Sequence, residues 1–300
     1  CQTISNQALN MRILVTGSEG QLGRCIMDAA VGSSNEYIFT DVDDLDITDA
    51  EAVDLSFKVN CFDIVVNCAA FTDVERAERH EDFAYEVNCT AAGNIARAAR
   101  DNDMTLIHIS TDYVFDGKGN RPLTEADIPS ACGAYGRTKL AGEEAIARSG
   151  CRAVMLRTAW LYSEYGRNFV KTMRNLSGER DSLSVVIDQT GSPTYAGDLA
   201  KAIVEIIDKG LYQGNEGVYH YSNLGVCSWY DLAQMTVEYS GHRSCAIKPC
   251  LSREYNSSVE RPAYSVLDKT LFCKTFGMDI PYWLDSLKVC INNLSMLQDE

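Results

Sequence analysis

The stretch that most limits what this chain can fold into is Met11-Arg12-Ile13-Leu14-Val15, running into Thr16-Gly17-Ser18-Glu19-Gly20-Gln21-Leu22-Gly23. A short apolar run, a glycine-rich turn and apolar residues at helical spacing (Leu22, Ile26, Ala29 or Ala30) read as strand, turn, helix. Gly17 permits the tight turn, Gly20 lets backbone N–H groups approach a pyrophosphate, and Gly23 lets the helix pack closely on the strand. The spacing is Gly-x-x-Gly-x-x-Gly, not the Gly-x-Gly-x-x-Gly of many dinucleotide sites. The bland alternative is a turn with a structural role only.

Four more apolar runs follow at βα spacing. Tyr37–Thr40 reads as a second strand, ending at Asp41, where a carboxylate can accept hydrogen bonds from an adenosine ribose and repel a 2′-phosphate. Glu19 in the glycine turn adds to that repulsion, so the residues favour NADH over NADPH; a loop-capping acid is the competing reading of Asp41. Phe62–Ala70 is a near-continuous apolar run, as expected for a strand buried on both faces. A helix is expected from roughly Glu81 to Arg100, with Phe83, Val87, Ile95 and Ala98 on its apolar side. Thr105–Ile109 is a fourth strand and Arg152–Arg157 a fifth. Within the fourth, His108 reads as a structural residue, since no motif makes it a metal ligand.

This alternation predicts an α/β fold: a doubly wound parallel, Rossmann-type sheet with a smaller C-terminal α+β substrate lobe. The dinucleotide-binding domain is expected over 11–162 plus about 184–210, and the substrate lobe over about 163–183 and 211–300. Residues 168–176 and 196–207 read as helices and 184–187 as a strand, with the 196–207 helix packing back on the first domain. Residues 1–10 are polar and aperiodic and are expected to be a disordered or cloning-derived lead-in.

Three hundred residues, nearly half of them apolar, suffice for such a core. The net charge of −15, with no basic stripe, argues against nucleic-acid binding. An anionic ligand must then rely on local donors such as helix N-termini and a few arginines. Twelve cysteines are scattered without Cys-x-x-Cys or paired Cys/His spacing, so neither a disulfide set nor a metal site is expected. A reducing, cytoplasmic compartment follows, and the absence of an 18-residue apolar run or signal peptide points away from membranes.

Chemistry is suggested by Ser110-Thr111-Asp112-Tyr113-Val114-Phe115 together with Tyr135-Gly136-Arg137-Thr138-Lys139. A Tyr and a Lys four apart on a helix share a face. An ammonium beside a phenol lowers the phenol's pKa, and a Thr hydroxyl at a strand end can bond the same substrate oxygen. Such a group can hand a proton to a carbonyl while a hydride arrives from elsewhere. A surface helix with an incidental Tyr-x-x-x-Lys is the alternative.

Taken together, the glycine turn, the Ser110–Phe115 stretch and Tyr-x-x-x-Lys resemble the extended short-chain dehydrogenase/reductases. More narrowly, residues 66–72, 110–117, 135–143, 157–162, 188–194, 228–232 and 261–268 are similar to the dTDP-4-dehydrorhamnose reductase family, over residues 11 to about 277. The resemblance implies reduction of the C4 ketone of dTDP-4-dehydro-β-L-rhamnose to dTDP-L-rhamnose by NADH or NADPH. It implies Tyr135 as proton donor, Lys139 on the nicotinamide ribose and tuning Tyr135, and Thr111, Asp112 and Tyr113 on the sugar side, with Trp160 packed against the ring. It places Gly17, Gly20, Gln21, Leu22, Gly23, Asp41, Asp46, Ile47, Ala69, Ala70 and Phe71 on the cofactor, and Asn168, Gln189 and Arg261 on the substrate nucleotide.

Related dehydratases carry Asp-Glu where Asp112-Tyr113 stands, which favours simple reduction. Some members of the family dimerise through an acidic Mg²⁺-dependent contact, so a homodimer and Mg²⁺ are expectations by analogy alone. Two rival readings of the same fold are a nucleotide-sugar 4-epimerase and a non-catalytic regulatory subunit related to that of methionine adenosyltransferase.

Overall fold

The computed structural model describes residues 10–254, 259 and 261–297. The lead-in expected at 1–10 therefore lies, apart from Asn10, outside the described residues. Six strands form one parallel sheet: β1 (Arg12–Thr16), β2 (Glu36–Thr40), β3 (Ile64–Asn67), β4 (Thr105–Thr111), β5 (Arg152–Thr158) and β6 (Gly217–His220). Their spatial order is β6-β5-β4-β3-β1-β2, all neighbours parallel. The order reverses between β1 and β3, and ligands of open α/β sheets bind beyond the strand ends at such a point.

Strand residues alternate between two cores. Ile13, Val15, Ile64, Val66, Ile107, Val154 and Leu156 bury one face against α1 (Gln21–Ala29) and the helix Ala196–Asp208. Leu14, Val65, Leu106, Ala153 and Met155 bury the other against α2 (Ala50–Asn60), α3 (Ala91–Asp101) and α4 (Ala134–Ser149). The chain punctuates these helices as their termini require: Asp49 caps α2 by accepting from the N–H groups of Glu51 and Ala52, and Gly150 ends α4 at φ +75°.

Three expectations are corrected. The helix foreseen from Glu81 to Arg100 is broken into Glu81–Tyr85, a π-helical turn at Glu86–Thr90, and α3. The extra residue in that turn rotates Asn88 and Cys89 inward, and Phe83, half-exposed, stands edge-on to Phe71. Gly217–His220, assigned by sequence to the lobe, is the sixth strand of the central sheet, because the Ala196–Asp208 helix carries the chain across to the open edge of β5. Of the 184–210 segment only that helix covers the sheet. Ser182–Val186 pairs instead with Ala246–Cys250 in a separate parallel ladder. Around that ladder and the helices Phe169–Glu179, Trp229–Tyr239 and Trp283–Met296 lie two further apolar clusters, which frame the far side of the cleft.

Candidate active site

A cleft of about 680 Å³ opens at the carboxyl ends of β1, β3, β4 and β5. Of the residues singled out in the sequence it gathers Gly17, Gly20, Gln21, Leu22, Ala70, Thr111, Asp112, Tyr113, Tyr135, Lys139, Trp160, Asn168 and Arg261. Gly23, Asp41, Asp46, Ile47, Ala69, Phe71 and Gln189 do not line it.

At the glycine turn, Gly17 has φ +66°, and a Cβ there would lie 2.6 Å from the Ala69 nitrogen. A Cβ on Gly23 would lie 2.4 Å from the Gly17 carbonyl oxygen, so only glycine lets α1 begin against the turn. The first turn of α1 has no side-chain cap and no acidic residue, leaving its N–H groups available to an anion. Asp41, at the end of β2, accepts from the backbone N–H of Glu19 at 2.9 Å and so also holds the turn. These features fit a dinucleotide: a glycine cradle, open donors for a pyrophosphate and an acid at the end of β2.

The remaining cofactor positions act less directly. Asp46 accepts from the Thr48 hydroxyl and N–H, which hold its carboxyl below the usual range. Ile47 is buried in the core beside α2, and its carbonyl accepts from Asn94. The Ala69 N–H donates to Asn67, and the Phe71 N–H and carbonyl are both engaged by the side chain of Asn88.

Thr111 ends β4 and caps a 3₁₀ turn at Asp112–Val114 by accepting from the Tyr113 N–H. Helix α4 sits tightly on this turn, because a Cβ on Gly136 would fall 2.1 Å from the Tyr113 carbonyl oxygen. That contact brings the Tyr135 phenol to the Thr111 hydroxyl, and the Tyr113 ring stands edge-on to Tyr135 with centroids 5.4 Å apart. Burial pushes the Tyr135 phenol well up, the Thr111 hydroxyl lowers it, and the charges of Asp112 and Tyr113 raise it again.

The expected lowering by Lys139 is corrected. Its Nζ donates to the Ile109 carbonyl at 2.6 Å and meets His108 Nε2 at 3.4 Å, within β4 and not at the phenol. Burial lowers the Lys139 amine to about 8. Asp112 is pushed by burial up to about 6, with the Ser265 and Thr111 hydroxyls pulling it partly back.

Trp160 adopts φ +49°, an uncommon backbone for a bulky residue, and its indole stacks on Trp229 at 3.6 Å and 8°. Gly191 makes room for it, since a Cβ there would lie 2.6 Å from the indole. Asn168 lines the cleft but is committed elsewhere: it caps the helix Phe169–Glu179 through the Lys171 N–H and donates to Gln21 and the Ser163 carbonyl. Gln189 lies in an adjoining pocket with Ser184, Asp188 and Ser252, and donates to Ser252. Arg261, with Trp229 and Phe169, lines both spaces, and its guanidinium faces Tyr113 and, at 3.9 Å, Glu75.

Several residues escaped sequence reading. Asn88 ties the β3 loop to the Thr138 hydroxyl of α4, and its signal was a polar residue where the helical period demanded an apolar one. Glu143, one turn beyond Lys139, forms a buried bidentate pair with Arg157 at 2.9 and 2.6 Å and accepts from Ser110. Among the described residues no group of three or more His, Cys, Asp or Glu could hold a metal ion, no cysteine is bridged, and no helix is long and apolar enough to cross a membrane.

A doubly wound sheet with Thr111 at the end of its fourth strand, and Tyr135 and Lys139 on the helix beside it, defines an oxidoreductase of the short-chain dehydrogenase/reductase class. Within that class the chain belongs to the RmlD substrate binding domain family, which matches residues 11–296. It is 36% identical over 288 residues to the dTDP-4-dehydrorhamnose reductase of Aggregatibacter actinomycetemcomitans, covering 92% of this chain and 97% of that one. Among solved structures it is similar to a dTDP-4-dehydrorhamnose reductase from Clostridium acetobutylicum (42% identity, TM-score 0.91, 95% and 100% of the two chains covered). The Bacillus anthracis enzyme of that name, solved in complex with NADP, gives 34% identity and a TM-score of 0.90 at the same coverage.

Proposed function

We propose that this cleft reduces the C4 ketone of dTDP-4-dehydro-β-L-rhamnose to dTDP-L-rhamnose with NADH or NADPH. The observation that carries the reading is the buried Tyr135 phenol set against the Thr111 hydroxyl, in the same cleft as the glycine turn. The substrate is supported by the reductases of that name, which align along nearly the whole chain.

When bound, the nicotinamide supplies the hydride. Thr111 and Tyr135 donate hydrogen bonds to the ketone oxygen, where negative charge develops. The buried phenol holds its proton until that charge appears and then transfers it. Lys139 lines the same cleft and, lowered by burial to about 8, can release a proton into it near neutral pH. The Trp160 indole offers an apolar face to the sugar, and the Arg261 fork suits a diphosphate. Asp41 and Glu19 disfavour a 2′-phosphate, which ranks NADH above NADPH. Tyr113 stands beside Asp112 where related dehydratases carry a Glu, which favours reduction over expulsion of water. The free thiols fit a cytoplasmic enzyme.

The test is to supply the 4-keto sugar nucleotide with each cofactor, follow nicotinamide absorbance and identify the product. Sugar-dependent oxidation yielding dTDP-rhamnose supports the reading; cofactor binding without oxidation contradicts it.

A further inference from the structure

Behind Lys139 lies a buried string of polar groups that the reaction itself does not use. The Thr16 hydroxyl and the Ala69 N–H both donate to Asn67 Oδ1, at 2.8 and 3.1 Å. A backbone N–H can only donate, so it fixes the orientation of this amide: oxygen toward Ala69, nitrogen toward β4. The Asn67 NH₂ therefore donates to His108 Nδ1 at 3.1 Å. That ring nitrogen must be unprotonated, and a neutral imidazole then carries its proton on Nε2. His108 is buried, and burial together with Lys139 drives its pKa well below the ordinary value, so the ring is neutral. The Nε2–H points at Lys139 Nζ, 3.4 Å away.

We propose that Asn67 and His108 form a tautomer lock, holding an imidazole N–H against the Lys139 amine and making His108 a positioning residue for the cleft's proton relay. The proposal rests on the reading of Lys139 given above. A neutral amine satisfies this surrounding: it accepts from His108, donates to Ile109 and keeps one N–H for the cleft. An ammonium has donors only and meets a donor at His108. The mismatch falls on the charged form alone, so Lys139 gives up its proton more readily. Burial acts in the same direction. Glu143 on α4, already paired with Arg157, acts in the opposite one. The Cys68 thiol is held up to about 12 by burial and stays neutral.

The lock is read directly from the ring ¹⁵N chemical shifts of the full-length, cofactor-free protein, with His108 signals assigned by their loss in His108→Gln. The expected result is a neutral Nε2–H ring from about pH 6 to about pH 9. A protonated Nδ1, or an imidazolium, overturns the proposal. Asn67→Asp places an acceptor opposite Nδ1 and is expected to switch the ring to Nδ1–H; a ring left as Nε2–H overturns it. In His108→Gln the amide can turn its oxygen to Lys139, so the alkaline limb of the reduction is expected to rise by about one pH unit. An unmoved limb contradicts the lock. The NMR readout needs no substrate, so a correct tautomer in a protein that reduces no sugar nucleotide would sink the proposed reaction and leave the lock standing.

Discussion

Lys139 Nζ donates to the carbonyl of Ile109 at 2.6 Å, two residues before Thr111 on the same strand. One strand edge thus anchors the lysine through its backbone and presents the threonine to Tyr135. The phenol and the amine, four residues apart on α4, are organised by β4 and not by direct contact with each other.

Tyr135→Phe removes the hydroxyl beside Thr111 while keeping the ring against Tyr113. Turnover is expected to fall by ~10²-fold or more, with the folded state intact, within the usual range for a lost general acid. Steady-state kinetics with circular dichroism checks this, and unchanged turnover would remove Tyr135 from the mechanism.

Asp41→Ala removes both the acid at the end of β2 and the acceptor of the Glu19 N–H. The ratio of kcat/KM for NADPH over NADH is expected to rise, with KM increasing for both cofactors as the glycine turn loosens. An unaltered ratio would leave Asp41 with the turn-holding role alone.

Asp112, pushed up to about 6 in the folded protein from 3.8, carries a proton between these values that the unfolded chain has lost. Its contribution to stability therefore falls as pH rises through this window and levels off above it. Asp112→Asn cannot titrate. Urea midpoints should show the variant gaining on the native protein as pH rises from about 4 to about 7, by on the order of 3 kcal/mol at most. A difference independent of pH would contradict the raised carboxyl.

Glu143→Ala leaves the Arg157 guanidinium buried without its bidentate partner, and Arg157 Nη1 already lacks a hydrogen bond in the structure. A loss of about 3–5 kcal/mol is expected in denaturant unfolding, and Glu143→Met with Arg157→Met should recover much of it. A double variant as unstable as the single one would mean that packing, and not the stranded charge, sets the cost.

The sheet was legible because its strands are short apolar runs bounded by glycine and polar turns; each observed strand of the first five overlaps its expected run. Gly217–His220 was not, since four residues entering an existing edge carry little pattern of their own, and what recruits them is the crossover helix. The break at Glu86–Thr90 was equally hidden, because a π-helical turn is set by the hydrogen bonds of Asn88 and by the close approach of Gly142 to its carbonyl. Spacing singled out Tyr135 and Lys139, and the cleft gathers both with Thr111, yet spacing gave the wrong neighbour to Lys139. Whether an amine faces a phenol or a strand carbonyl is a matter of packing, and His108, taken as merely structural, sits at that junction.

The central claim is tested most directly by supplying nicotinamide deuterated at its transferable position together with dTDP-4-dehydro-L-rhamnose, and locating the label. Reduction at this cleft predicts oxidised cofactor and deuterium on C4 of dTDP-rhamnose, both abolished in Tyr135→Phe. Cofactor that binds and returns unchanged while C4 epimers interconvert, or no label on the sugar at all, would contradict it.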